Sequence, residues 1–157
     1  MTTIRLATII CAPIGRCFDL SRSIDLHLMS TQKTGERVVA GRKSGLILSG
    51  ETVTWEAVHF CIKQRLTIKI TEMRQPYYFV DEMIDGAFKS LRHEHHFSTN
   101  NDRTVMTDVF NYEAPYSVFG KIFNSIVLQR YMRKFLMERN AMIKSEAEGS
   151  NRMHFLK

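Results

Sequence analysis

The sequence predicts an α+β protein in which a curved antiparallel β-sheet wraps around a long C-terminal α-helix, with two short helices after the first strand. Three observations lead to this prediction. The 157 residues suit one domain, five consecutive segments after residue 50 alternate between apolar and polar side chains, and the longest helical pattern comes last. Because connections of two to five residues join only antiparallel neighbours, the five segments form a meander.

The composition agrees with a protein that buries one core. Apolar residues make up 44% and charged residues 24%, and charges interrupt every stretch that approaches the ~18 residues of a membrane span. The net charge of +6 comes without the dense basic clusters of nucleic-acid modules, so we expect no nucleic-acid partner. Cys11, Cys17 and Cys61 are odd in number and lack C-x-x-C spacing, which predicts free thiols in the cytoplasm.

The first third of the chain predicts one strand and two helices. We interpret residues 4–10 as a strand rather than as part of a signal peptide, because no small-residue cleavage site follows. Pro13 is well placed as the first residue of a helix, and a second short helix follows Ser21 and Ser23. Residues 31–50 contain four glycines without a sustained period, which indicates a connecting loop with a candidate strand at 44–49.

The meander and the long helix follow this loop. We expect strands at residues 51–60, 65–72, 77–84, 88–98 and 104–112. The helix is predicted from residue 118 to about 146, and its apolar side changes near Val127, so we expect a kink or a short lead-in helix near residues 125–128. We assign residues 1–148 to the domain and 149–157 to a flexible C-terminal tail.

Strand alternation predicts which side chains share the inner face of the sheet. A four-residue loop at 99–102 places Leu91 opposite Phe110, His93 opposite Asp108, and His95 opposite Met106. The turn at 74–76 likewise pairs Ile70 with Phe79, Ile68 with Asp81, and Leu66 with Met83. Register near Asp85 and Gly86 suggests a bulge.

The inner face thus mixes large apolar groups with ionisable ones. Burying a charge without a partner costs several kcal/mol, so this mixture favours a ligand cavity over a solid core. On the last helix Arg139 either points at this cavity or extends its stem to the rim. The candidate ligand-binding residues are Trp55, His59, Phe79, Asp81, Met83, His93, His95, Met106, Asp108, Phe110, Tyr112, Tyr131, Phe135 and Arg139.

Several segments resemble the SRPBCC superfamily, also called START-like, and most closely its bacterial polyketide-cyclase-like ligand-binding members. These segments are APIGRCFDLSRSIDLH, TGERVVAGRKSGLILSGETVTWEAVHF, QRLTIKIT, PYYFVDEMIDGAF, the H-x-H-x-F beginning at His93, and TVMTDVFNYEAPYSVFGKIF. The resemblance implies the helix-grip fold and a hydrophobic cavity for lipids, polyketides or quinones. It brings no universal catalytic set, and Cys61 departs from it where similar sequences favour glycine.

Two kinds of chemistry remain open at the histidines. His93 with Asp108 is either an acid–base pair or a polar pair that satisfies itself. His93 and His95 on one strand face could hold a metal with His59 or Asp108, but an alternating strand accounts for the pattern better. We therefore expect no metal and no cofactor.

The sequence favours intracellular binding of a small hydrophobic ligand over catalysis. The alternative is a cyclase or hydratase that uses His93 and Asp108 as acid and base in the same cavity. A third interpretation is an interaction protein whose cavity is vestigial. The basic face of the last helix, formed by Arg130, Arg133, Lys134 and Lys144, is compatible with peripheral contact with an anionic membrane surface, and the oligomeric state stays open.

Overall fold

A computed structural model describes residues 1–114 and 125–149, which form one seven-stranded sheet and three α-helices. The strands are β1 (Thr2–Ile10), β2 (Arg37–Gly41), β3 (Thr52–His59), β4 (Ile62–Arg74), β5 (Tyr78–Gly86), β6 (Ser90–Asn100) and β7 (Arg103–Glu113). The helices are α1 (Ile14–Ser21), α2 (Ile24–Ser30) and α3 (Ser125–Glu148), with one turn of 3-10 helix at Gln32–Thr34.

The sheet is antiparallel throughout, with the strand order β1-β7-β6-β5-β4-β3-β2. Strands β2 to β7 follow one another as a meander, and β1 adds to its end beside β7. This topology confirms the predicted fold class, including the two short helices after the first strand and the long helix at the end. Among the described residues no helix combines the length and apolar character needed to cross a bilayer.

The segment between α2 and β3 differs from its prediction. It contributes strand β2, which pairs with β3, whereas residues 44–49 form no strand and contribute an isolated bridge between Leu46 and Ser23. The backbone of the latter segment bonds to the α1–α2 connection, because Ile47 N–H donates to the carbonyl of Arg22. A pairing with a distant strand is invisible to local periodicity, so β2 was missed.

The β6–β7 hairpin corrects the predicted pairs while keeping their faces. Asn101 and Asp102 have φ angles of 45° and 63°, so the turn is a two-residue turn rather than a four-residue loop. Both loops are even, and the register therefore moves by two residues without reversing the faces. The observed pairs are Leu91 with Tyr112, His93 with Phe110, His95 with Asp108, and Phe97 with Met106.

The β4–β5 hairpin also keeps its inner face despite different pairs. Its loop has three residues, which by itself would change which residues face inwards. A bulge between Ile70 and Glu72 reverses this change, so the predicted residues still face inwards. The observed pairs are Met73 with Phe79, Ile70 with Asp81, Ile68 with Met83, and Leu66 with Gly86. A second irregularity lies opposite residues 83–85, which confirms the bulge that the sequence suggested there.

Helix α3 packs its second apolar face on the sheet. Leu136 and Ile143 are buried, whereas Ile126 and Val127 are about half exposed, at 49% and 47%. The predicted start of the helix at residues 118–124 and most of the predicted tail, residues 150–157, lie outside the described residues. Away from α3, the core is closed by α1, where the ring of Phe18 meets those of Phe79 and Phe97 edge-on.

Candidate functional site

A cavity of about 350 Å³ lies between the concave face of the sheet and helices α2 and α3. This volume falls within the range of about 300–1,000 Å³ that is typical of small-molecule sites. Its walls are mostly apolar, because side chains along strands β3 to β7 alternate between the two faces and most of those that face the helices are apolar. Apolar wall residues include Ile24, Ile47, Val53, Leu66, Ile68, Ile70, Phe88, Leu91, Leu128, Met132 and Leu136.

The structure brings most of the predicted site residues to this cavity. Ten of them line it: Trp55, His59, Phe79, Asp81, His93, His95, Phe110, Tyr131, Phe135 and Arg139. Four predicted residues do not line it: Met83, Met106, Asp108 and Tyr112. Those four share the inner face; Met106, Asp108 and Tyr112 are buried beneath their neighbours, and Met83 is partly buried.

The covering groups are specific. The sulfur of Met106 lies 3.3 Å from the hydroxyl of Ser21 on α1, and the ring of Tyr112 packs against Phe88 and Phe110. Asp108 is fully buried behind the histidines, at 0% exposure. These residues therefore lie behind the cavity wall, because strand alternation gives the face of a side chain but not what lies above it.

A cluster of two histidines and two aspartates forms one polar part of the wall. Nε2 of His93 lies 2.9 Å from Oδ1 of Asp108, and Nδ1 of His95 lies 3.0 Å from the same oxygen. On the other side, Nε2 of His95 lies 2.9 Å from Oδ1 of Asp81, and Nδ1 of His93 lies 3.8 Å from it. Both rings thus lie between a carboxylate at the cavity and a carboxylate behind it, and each ring makes one hydrogen bond, His93 to Asp108 and His95 to Asp81.

The electrostatics of this cluster favour ionised carboxylates. Burial opposes the charge on Asp108, but hydrogen bonds from His93 and His95 hold the pKa of this carboxyl well below its usual range. The pKa of Asp81 is also lowered, because the same histidines outweigh its burial. Burial and the neighbouring His95 lower the pKa of His93, which favours a neutral ring.

Arg139 lies at the cavity wall and is 7% exposed, so its stem does not reach out to the rim. Its guanidinium donates to the backbone carbonyl of Ser21 at 2.7 Å and lies 3.8 Å from Asp108. The neighbouring Asn140 donates to the second oxygen of Asp108 at 2.6 Å. Helix α3 therefore secures the buried carboxylate, and Arg139 is already engaged by protein atoms.

A second polar group on the wall was only partly predicted. His59 contacts the hydroxyl of Tyr131 at 2.6 Å, and nearby Nε2 of His27 lies 3.4 Å from a carboxylate oxygen of Glu36. Burial opposes ionisation of Glu36, but His27 outweighs it and lowers the pKa of that carboxyl. Burial lowers the pKa of His59.

His27 and Glu36 escaped the sequence analysis for different reasons. Glu36 directly precedes β2, in a stretch assigned to a loop, so no alternation indicated where its side chain points. His27 lies in the predicted second helix, and its ring packs 4.2 Å from that of Trp55. Its position among the apolar residues of that helix could have predicted that it faces the sheet.

The fold is shared with solved structures of low sequence identity. TTHA0849 from Thermus thermophilus matches with a TM-score of 0.70 and 17% identity, covering 90% of this chain and 97% of that one. A START superfamily protein from Mycobacterium smegmatis matches with a TM-score of 0.65 and 8% identity, covering 93% and 97%. Major latex-like protein 151 from Panax ginseng matches with a TM-score of 0.64 and 16% identity, covering 94% and 98%.

At these identities the likeness shows the fold alone. The chain has the START-like helix-grip fold, as the resemblance of its segments implied. No family model and no curated protein sequence matches it.

Proposed function

We propose that the protein binds a small, predominantly apolar molecule, such as a lipid, a polyketide or a quinone, in the cavity between the sheet and α3. The observation that carries this proposal is a cavity of about 350 Å³ with apolar walls and a few convergent polar groups. A vestigial cavity would be filled by side chains, and this one is not. Burial of the ligand's apolar surface at about 25 cal/mol per Å² supplies the affinity.

The polar groups on the wall indicate that the ligand carries oxygen functions. Among the described residues, four buried side-chain atoms have no hydrogen-bond partner: Nε2 of His27, Oε2 of Glu36, Nδ1 of His95 and the hydroxyl of Tyr112. The first two lie 3.4 Å from each other, and both residues line the cavity. An unpaired buried polar atom costs about 1–3 kcal/mol, and a ligand hydroxyl would remove that cost. We therefore expect an amphiphile with a hydroxyl group near His27 and Glu36, rather than a pure hydrocarbon.

The setting of this function is the cytoplasm in our proposal. All three cysteines are free thiols, and Cys11 and Cys61 are exposed, which suits a reducing compartment. Arg130, Arg133 and Lys134 are exposed on α3, and they would attract an anionic membrane surface from which a carrier collects its ligand.

The single tryptophan provides the test, because Trp55 lines the cavity. We expect dodecanoic acid and naphthoquinone to change Trp55 fluorescence in a saturable way. Ala87→Phe places a ring into the cavity from the β5–β6 turn and should weaken binding at least about tenfold, which corresponds to about 1.4 kcal/mol. The matched control is Ala141→Phe, at an exposed position of α3, which should bind as the wild type does.

The same experiment can reject the proposal. Saturable binding that is equal in the wild type, Ala87→Phe and Ala141→Phe would place the probe outside the cavity. Native mass spectrometry of protein purified from its own host provides an independent check, since a co-purifying apolar molecule is expected.

A second candidate function is supported by the orientation of His93. Its ring lines the cavity while its Nε2 is held by Asp108, and a carboxylate behind an imidazole is an arrangement used by general bases. A cyclase or hydratase acting on a poly-β-keto chain would use this pair. Mass spectrometry of a poly-β-keto thioester incubated with the protein tests it: His93→Gln should abolish product formation and retain dodecanoic acid binding, whereas an unchanged substrate excludes this reaction.

A further inference from the structure

The side of the two histidines that faces the cavity forms a compact set of ligand atoms. We propose that Asp81, His93 and His95 bind one divalent transition-metal ion of the Zn²⁺ type at the cavity wall. The sequence indicated a pair of imidazoles on one strand face, with His59 or Asp108 as the third ligand, and did not indicate Asp81. Asp81, on the neighbouring strand β5, supplies that ligand because it lies directly opposite His93 in the sheet.

The distances between the ligand atoms fit a common ion. One ligand atom from each of the three residues lies within 4.8 Å of the others. The carboxylate oxygen of Asp81 is 2.9 Å from Nε2 of His95 and 3.8 Å from Nδ1 of His93. Ligands about 2.0–2.1 Å from one ion lie about 3.0–3.6 Å apart, so shifts on the order of 1 Å bring the three atoms into place.

The opposite edges of both rings face one carboxylate, and that of His93 is hydrogen-bonded to it as metal-binding histidines require. A ligating imidazole almost always gives its second nitrogen to a carboxylate or carbonyl, which fixes the tautomer and the ring plane. Here Oδ1 of Asp108 lies 2.9 Å from Nε2 of His93 and 3.0 Å from Nδ1 of His95. Asp108 is hydrogen-bonded to His93 and lies next to Nδ1 of His95 without hydrogen-bond geometry, and the other nitrogen of each ring, His93 Nδ1 and His95 Nε2, faces Asp81.

Asp108 is itself held in place. Asn140 donates to its second oxygen at 2.6 Å, and the guanidinium of Arg139 lies 3.8 Å from its first. Since Asp108 is completely buried, its position is set by the packing of α3 on the sheet. The supporting carboxylate is therefore preorganised, as a specific metal site needs.

The ligand set selects the class of ion. Two imidazoles and one carboxylate suit Zn²⁺, Fe²⁺ and similar ions rather than Mg²⁺ or Ca²⁺, which prefer oxygen ligands. All three residues line the cavity, so the remaining coordination positions open towards it. Three protein ligands with an open position are typical of catalytic rather than structural zinc sites.

The second polar group on the wall does not offer the same arrangement. Nδ1 of His59 is taken by the hydroxyl of Tyr131, and the contact between His27 and Glu36 brings together only two ligand atoms. In the described part of the chain, the cluster around His95 is the group of three close ligand residues.

Metal titration of the chelator-treated protein tests the site directly. We expect one equivalent of Co²⁺ to give visible d–d absorption bands and one equivalent of Zn²⁺ to displace it. Asp81→Asn and His95→Gln should each weaken Co²⁺ affinity on the order of 100-fold. The matched control is His96→Gln, because His96 is on the same strand but turns to the outer face, where it contacts Glu94 at 3.0 Å.

Two results would overturn the proposal. One is the lack of stoichiometric Co²⁺ bands in the wild type, a measurement that depends on no variant. The other is a Co²⁺ affinity of Asp81→Asn or His95→Gln equal to that of His96→Gln, which would place the ion elsewhere on the surface. Dodecanoic acid binding to the metal-free wild type is measured separately, so failure of the metal site and failure of the proposed ligand binding are distinguishable.

Discussion

The Nδ1 atom of His59 lies 2.6 Å from the hydroxyl oxygen of Tyr131, so one hydrogen bond joins strand β3 to helix α3 at the cavity wall. The two rings also meet edge-on, with centroids 5.8 Å apart and planes 82° apart. Burial raises the pKa of Tyr131 and lowers that of His59, so both groups are favoured in their neutral forms and the bond joins two neutral partners.

Tyr131→Phe should lower the free energy of unfolding by about 1 kcal/mol, because it removes this hydrogen bond and leaves a half-buried imidazole nitrogen without its partner. Urea denaturation measures the change. The matched control is Tyr77→Phe, whose side chain is 61% exposed, and it should change stability by less than about 0.5 kcal/mol. Equal effects of the two substitutions would contradict the role given to the His59 contact.

Asp108→Asn should lower the free energy of unfolding by about 3–5 kcal/mol. The substitution keeps the shape of the side chain but removes the charge that accepts hydrogen bonds from His93 and Asn140 and faces Arg139. A buried guanidinium then loses its compensating charge, and one buried donor loses its acceptor. Thermal and urea denaturation measure the loss. Asp102→Asn, in the exposed β6–β7 turn, is the control and should be nearly neutral. A neutral Asp108→Asn would show that the cluster contributes little to folding.

Glu56 should make the protein sensitive to strong acid. Hydrogen bonds from Arg37 and Arg65 lower the pKa of this carboxyl from 4.5 to about 2. A lowered folded-state pKa means that the stabilisation is complete above about pH 4.5, where the unfolded carboxyl is also ionised, and is lost as the pH falls towards 2. Urea denaturation across this window should show a shallower decline for Glu56→Gln than for the wild type, and parallel curves would contradict this origin.

Cys61→Gly should raise the free energy of unfolding by about 0.5–1 kcal/mol. Cys61 has a φ of 62°, in the left-handed region that costs a residue with a Cβ about 1–2 kcal/mol, and the extra freedom of glycine in the unfolded chain offsets part of the gain. Urea denaturation in reducing buffer measures the change. The same substitution at the exposed Cys11, whose φ is not positive, is the control and should bring no gain.

Local pattern was sufficient to predict most elements and both faces of the meander. Alternation of side chains between the two faces is a property of neighbouring residues. Turns with an even number of residues keep the same faces together, so His93, His95 and Asp81 were correctly placed on the inner face. The pairs across the hairpins were wrong by two residues or by a bulge. The backbone angles of Asn101 and Asp102 decide the length of that turn, and periodicity does not report them.

The candidate site was predictable only in part. Ten proposed residues do line the cavity, but Asp108 and Met106 lie under α3 and α1, and Glu36 reaches the wall through the pairing of β2 with β3. These outcomes depend on contacts between residues far apart in the chain. Composition and spacing carry no information about such contacts unless the docking of each helix is known.

The amino-acid sequence by itself determined the strand and helix content, the antiparallel order and the mixture of apolar and ionisable groups on one face, because each depends on side-chain alternation and short turns. Tertiary structure alone decided that a hollow remains, that Asp81 and not His59 completes the histidine cluster, and that Asp108 supports it from behind. The reason is that packing α3 against a curved sheet sets which inner-face side chains are covered and which face empty space.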